Sequence, residues 1–239
     1  MKKKKTVALA LSGGVDSSVA AYLLKKRGYK VINLFMYNWG KNNNCIWEDI
    51  RDAMLISDKL NIPFYILDLR KKYKKEVINY MIKGYKKGIT PNPDVICNEK
   101  IKFGIFLKES LKLNVDFIAT GHYVRNIKNK SKKYSLLTGK DTQKDQSYFL
   151  CRINQYQLSK SIFPLGNFKK KRVRRIAYKL KFLNYNKKDS QGLCFIGKIN
   201  LIEFLKKKIK KNKGGIYYMS YKKIRKKDKN KRLKYKNYK

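Results

Sequence analysis

The chain has 239 residues and a formal net charge of +44, from 60 basic and 16 acidic side chains. A hydrophobic content of 43% allows one sizeable domain, with room for a small appendage. The scattered Cys45, Cys97, Cys151 and Cys194 form no CxxC pair and argue against a zinc module. The charge favours polyanionic partners, nucleic acid above all. Only ten basic residues are Arg, however, and heavy use of Lys, Asn, Ile and Tyr is also what an AT-rich genome produces.

Residues 2–5 are lysines, and no apolar stretch long enough for a signal peptide or membrane span follows. A cytosolic protein with reduced thiols and no membrane partner is expected. Residues 7–11 are a short apolar run, predicted as a buried strand. Residues 17–27 carry a helical apolar pattern with Gly28 just beyond as a C-cap. A second buried strand is predicted over 31–36, a helix over 47–60, a third strand over 64–69 and a helix over 73–86. The two prolines of 88–98 predict a loop. A helix over 99–113 and a fourth strand over 117–121 follow. Strands alternating with helices imply an α/β fold, a parallel sheet with helices on both faces. Its ligands bind beyond the carboxyl ends of the strands. Leu11, Met36 and residues 119–121 fall at those ends.

Past residue 150 the pattern changes. Residues 168–180 and 201–210 read as basic helices, separated by KKDSQGLCFIG. The expected organisation is a nucleotide-binding catalytic domain over 1–155, a small helical, basic domain over 156–215 and a tail over 216–239. Residues 220–239 hold eleven basic, one acidic and two aliphatic residues, too little to form a core, and are predicted to be disordered in isolation.

The stretch ALSGGVDSSVAAYLL (10–24) puts a glycine bend between a strand and a helix. Such a unit aims backbone N–H groups and a helix N-terminus at one spot and favours phosphate there. Gly13 and Gly14 let the backbone come close, and Ser12 and Ser17 add hydroxyl donors. No Gly-Lys-Ser/Thr follows, so the loop is not of the Walker type. Asp16 is unusual, because a carboxylate repels phosphate. It fits if it holds magnesium or fixes the loop backbone. The hexapeptide SGGVDS resembles the PP-loop of ATP pyrophosphatases, which adenylate a substrate and release pyrophosphate.

Further segments follow in order: LFMYNW (34–39), TPNPDVICNEKIKFG (90–104), ATGHYVR (119–125), KDQSYFL (144–150) and DSQGLCFIG (189–197). Together they are similar to the bacterial tRNA-specific 2-thiouridylases of the MnmA type, over about residues 5–215. The resemblance implies the adenine nucleotide α-hydrolase-like PP-loop fold. It implies 2-thiolation of the wobble uridine of the tRNAs for Lys, Glu and Gln, with adenylation of the uridine 2-oxygen and sulfur transfer from a cysteine persulfide. It also implies that Ala10, Leu11, Ser12, Gly13, Gly14, Val15, Asp16 and Ser17 bind ATP phosphates, with Met36 and Gly121 on the nucleotide. Asn92, Pro93 and Asp94 would lie by the target base, Asp94 aiding proton transfer. His122, Lys144, Asp145 and Gln146 would contact tRNA. Magnesium is inferred from the chemistry, not from a ligand motif, and a persulfide-carrying relay protein or cysteine desulfurase is the implied partner.

Cys97 is predicted to begin a helix after a Pro-bounded loop, with Lys100 near in sequence, and both features favour a thiolate. Cys194 reads on spacing alone as a core residue. By the resemblance it carries the persulfide, while Cys97 acts as nucleophile and closes a disulfide as sulfur leaves. Cys45 and Cys151 match no motif and are expected to be structural. The family continues into a β-barrel, whereas this chain keeps KGGIYYMS and then turns to lysines, so the barrel is expected to be missing. Two alternatives stay open. One is another PP-loop RNA-modifying enzyme: a lysidine synthetase needs no cysteine pair, and a cytidine thiolase usually carries the CxxC absent here. The other is a basic RNA-binding protein with a vestigial nucleotide loop.

Overall fold

A computed structural model describes residues 4–40, 44–189, 201–210, 216–217 and 237–238. The chain divides into two compact units, residues 1–200 and 201–239. The boundary expected at 155 falls inside the first.

The first unit opens with β1 (Thr6–Ala10), α1 (Val15–Lys26), β2 (Lys30–Tyr37), α2 (Asn44–Lys59) and β3 (Phe64–Asp68). Two long helices follow, α3 over 70–86 and α4 over 93–111, each passing through π-helical turns. Next come β4 (Phe117–Ala119), β5 (Val124–Lys128), β6 (Tyr134–Thr138), α5 (Gln155–Ser159), β7 (Ser161–Ile162) and α6 (Lys170–Lys179).

The central sheet has the order β3-β2-β1-β4-β7, with every pairing parallel. Val7 pairs with Val31 on one side and Phe117 on the other. A central parallel strand is covered on both faces, which is why Val7, Ala8 and Leu9 are fully buried and read as a continuous apolar run. Ala20 and Ala21, also fully buried, let α1 lie close on the sheet, and Leu24 fills the layer between them. From β1 the chain winds outward through β2 to β3, then returns to β4 on the other side of β1. The carboxyl ends of β1 and β4 therefore flank the switch point where such sheets bind ligands.

One sequence expectation needs correction, and two features go beyond what the sequence predicts. The loop of 88–98 ends at Asn92, whose side chain accepts the N–H groups of Asp94 (3.1 Å) and Val95 (3.2 Å), with Pro93 at the first helical position. An Asn cap followed by proline starts a helix, so Cys97 lies one turn inside α4 rather than at its start. The antiparallel hairpin β5–β6 was not anticipated. The sheet takes its fifth strand, β7, from residues beyond 155; Asn126 in β5 donates to Ser161 O at 2.8 Å and fastens the hairpin to it.

The second unit contains α7 (Leu201–Lys206) and a two-residue antiparallel pairing of β8 (Ile216–Tyr217) with β9 (Asn237–Tyr238). The rest of the expected tail lies outside the described residues. Among the described residues no helix is long and apolar enough to cross a membrane.

Candidate active site

The loop after β1 is held from three sides. Gly13 has φ +73°, and a Cβ on it would stand 2.3 Å from Asp49 O, so only glycine fits the approach of α2. Asn184, buried, donates to Gly13 O (2.9 Å) and Ser18 Oγ (2.8 Å) from 171 residues away. Lys187, close by in sequence, pairs with Asp49 (2.7 Å) and Asp52 (2.6 Å) and ties α2 to the same brace. Inside the loop, Ser17 Oγ accepts Ser12 N–H at 3.2 Å and donates to Gly14 O at 3.0 Å. Gly14, the N-cap of α1, brings no capping side chain, so nothing from that residue covers the helix N-terminus.

Asp16 is neither isolated nor free to repel an anion. Lys170, the first residue of α6, reaches its two oxygens at 2.6 and 2.7 Å, and Tyr123 OH donates to Oδ1 at 2.7 Å. The question raised by a carboxylate in a phosphate-type loop is thus answered by an ammonium from 154 residues on. Burial raises the Tyr123 phenol far above its ordinary range, and the Asp16 charge adds to that, so the phenol stays a donor. Lys170 also holds Asp189 at 2.7 Å, and Asp189 is bonded in turn by Lys144 and by Arg174 (3.2 Å).

The segment after β4 forms the other wall. A Cβ on Gly121 would come within 3.1 Å of Ser17 N, so this position lies directly against the first turn of α1. His122 is 7% exposed, with Nδ1 2.7 Å from Thr120 Oγ1 and its ring against Phe103 and Phe163. Burial, reinforced by the charge of Lys102, holds its pKa well below the usual imidazole value, so the ring is neutral at pH 7. Gln146 Oε1 accepts Tyr123 N–H at 2.9 Å, and Asp145 caps the turn of Ser147–Leu150 through Ser147 N (3.1 Å) and Oγ (2.8 Å). Asn98 of α4 donates to Phe149 O at 3.1 Å and joins this segment to the helix of Cys97. Cys97 is 1% exposed, and its sequence neighbour Lys100 pairs with Glu99 at 2.8 Å. Met36 is buried at the end of β2, paired with Leu67. Cys151 is exposed. Cys194 lies outside the described residues, as does the side chain of Cys45.

Residues 10–17, Gly121, Tyr123, Lys144 and Gln146 are therefore linked in one cluster at the carboxyl ends of β1 and β4, with Asn98 connecting α4 to it. Among the described residues no three His, Cys, Asp or Glu side chains are grouped to hold a metal. Asp16 already has cationic and phenolic partners, so a magnesium ion would be held by substrate phosphates rather than by a protein cage. Sequence reading missed Lys170, Arg174, Asn184 and the role of Tyr123. Tyr123 and Asp189 stand inside quoted motifs. Lys170 is one of three consecutive lysines, 169–171, and carries no signal of its own.

Residues 5–198 match the family model of the tRNA methyl transferase HUP domain. The chain is 58% identical over 216 residues to a tRNA-specific 2-thiouridylase MnmA of Karelsulcia muelleri, covering 89% of this chain and 56% of that protein. It is 52% identical over 221 residues to one of Christiangramia forsetii, with the same coverage. The chain spans about half the length of the curated relatives it matches. Two solved structures share the fold. A U34-tRNA thiolase NcsA from Methanococcus maripaludis, with its 4Fe–4S cluster, superposes with a TM-score of 0.50 at 20% identity, covering 86% of this chain and 64% of its own. A 4-thiouridine synthetase–RNA complex with bound ATP gives 0.50 at 17%, covering 86% and 50%.

Proposed function

The chain belongs to the tRNA methyl transferase HUP-domain family, and on that premise we propose that it is an ATP-dependent tRNA-uridine 2-sulfurtransferase. Its substrate is the wobble uridine of the tRNAs for Lys, Glu and Gln. The observation that carries the reading is the grouping, at the carboxyl end of β1 beside β4, of a braced glycine loop, a helix N-terminus with no capping side chain and an Asp16 neutralised by Lys170, a set suited to a polyphosphate. ATP is a named ligand of the 4-thiouridine synthetase structure, and 2-thiouridylation is the named activity of the MnmA relatives.

Residues 10–17 cradle the phosphates, and Met36 and Gly121 border the nucleotide. The loop N–H groups hold the triphosphate so that its α-phosphorus faces the uridine 2-oxygen; positioning and charge neutralisation do most of the work in such a transfer. A magnesium ion held by the phosphates would add to that neutralisation. Asn92, Pro93 and Asp94 border the target base. Lys144, Asp145, Gln146 and His122, the last as a neutral ring, make up the RNA-facing segment. Attack of the 2-oxygen on the α-phosphorus releases pyrophosphate. The terminal sulfur of a Cys194 persulfide then attacks C2 and displaces AMP. Cys97 attacks the Cys194 sulfur, closing a disulfide and leaving sulfur on the base. A persulfide-bearing donor protein reloads Cys194 after reduction. The reaction takes place in the cytoplasm.

Mass spectrometry of wobble nucleosides, after incubation with ATP, tRNA and a persulfide donor, tests the reading. The expected product is 2-thiouridine, lost in Cys97→Ser and in Cys194→Ser but retained in Cys45→Ser and Cys151→Ser. Full activity in either of the first two variants, or no tRNA-stimulated pyrophosphate release by the unaltered chain, overturns it.

A further inference from the structure

Asp189 sits among three cations. Its carboxylate accepts from Lys144, from Lys170 at 2.7 Å and from Arg174 at 3.2 Å. Burial alone would raise its pKa, but the bonds from Lys144 and Lys170 outweigh that and bring it to about 2. The ammonium of Lys170 is shared, because it also holds both oxygens of Asp16 in the first turn of α1. A third carboxylate, the buried Asp141, accepts the Lys170 backbone N–H at 2.7 Å, so three cations are balanced by three carboxylates beside a helix N-terminus that favours an anion, and only Asp189 is held by all three cations. A carboxylate offers two oxygens and one charge. A terminal phosphate offers three oxygens and up to two charges, and is the better partner for the same cations.

We infer that the Asp189 carboxylate stands in for a phosphate: Lys144, Lys170 and Arg174 form an anion subsite for the terminal phosphates of the nucleotide, from which a bound nucleotide displaces Asp189. The inference rests on the reading that the loop of residues 10–17 takes ATP. On displacement Lys170 keeps Asp16 and exchanges one carboxylate oxygen for a phosphate oxygen, so no bond in the protein is broken covalently. An RNA backbone phosphate has the same chemistry and could reach the half-exposed Lys144 and Arg174 from outside. Lys170, with 13% of its side chain exposed and anchored on Asp16, favours the nucleotide.

Calorimetric titration of the full chain with magnesium pyrophosphate, ATP, AMP and a tRNA transcript tests this. Asp189→Asn is nearly isosteric and removes the internal competitor. It should bind pyrophosphate and ATP about tenfold more tightly, the worth of one charge-assisted hydrogen bond, and AMP as before. Lys170→Met should bind pyrophosphate and ATP at least about tenfold more weakly, again sparing AMP, and Asp189→Asn should give no gain in that background. Lys170→Arg should restore part of the loss. A thermal melt of each variant separates folding from binding, and Asp189→Asn carries the test even if Lys170→Met fails to fold. Unchanged pyrophosphate and ATP affinity in Asp189→Asn overturns the subsite alone, as does a gain shared equally by AMP or seen only with tRNA. An unaltered chain that binds neither pyrophosphate nor ATP overturns the nucleotide reading beneath it.

Discussion

His122 is the one histidine in the chain, so its ionisation can be read without interference from another imidazole. In the fold it is buried against Phe103 and Phe163, and burial together with Lys102 keeps its pKa well below 6.5. The unfolded chain takes up a proton as pH falls through 6.5, while the folded one does not. Stability is therefore fully present above that value and is lost below it, at up to about 1.4 kcal/mol per pH unit. Denaturant unfolding at pH 7.5 and 5.5 should differ by about 1 kcal/mol, and His122→Asn should remove most of the difference. An equal pH response in the variant would mean that the ring is protonated in the fold. The sequence marks His122 by its position in TGHY at a strand end, next to Tyr123, whose N–H is accepted by Gln146 Oε1. Its neutrality was not legible, because Phe103 and Phe163, which bury it, come from α4 and from beyond β7.

The π-helical stretch Cys97–Phe106 of α4 was equally hidden. Its apolar positions repeat closely enough to a 3.6-residue period to be read as an ordinary helix, and nothing in composition marks the wider turn. Gly104 shows what the wider turn demands: a Cβ there would stand 2.9 Å from Glu99 O, five residues back. In an ordinary helix Gly→Ala stabilises by up to about 1 kcal/mol. Here Gly104→Ala should destabilise by about 1–3 kcal/mol through overpacking, lowering the melting temperature by several degrees. It should also disturb the Asn98–Phe149 bond that joins the helix of Cys97 to residues 147–150. A rise in melting temperature would show that the helix is of the ordinary kind. π-helical turns recur at functional sites, and this ten-residue stretch begins at Cys97, the residue proposed above as the nucleophile.

Across the whole molecule, local signals and long-range contacts divide what could be read. The strands β1, β2 and β4 announce themselves as apolar runs, and the glycine bend between β1 and α1 needs only adjacent residues. The brace from Asn184 and the ammonium of Lys170 depend on contacts across 171 and 154 residues, and no period in the sequence encodes them. The short β5–β6 hairpin, with a polar turn and partly exposed faces, lacks the alternation that would mark it. Net charge is a global quantity of another kind: it is legible at once, but its meaning depends on where it is used. Residues 220–239 contribute eleven positive charges and one negative, hence +10 of the total +44. If codon bias alone put them there, their removal should change RNA affinity little. If they neutralise phosphates, each contact adds about −0.9 to the slope of log K against log salt on duplex RNA or DNA. Deleting residues 220–239 should then flatten the slope by several such increments and weaken all RNAs alike, with pyrophosphate binding unchanged because the glycine loop and the residues that brace it lie within 10–189. Binding of a substrate tRNA and an unrelated duplex RNA, measured between 50 and 200 mM salt, reads this directly. A deletion that altered only the preference between the two RNAs, at constant slope, would assign the tail to shape-specific recognition instead of counterion release.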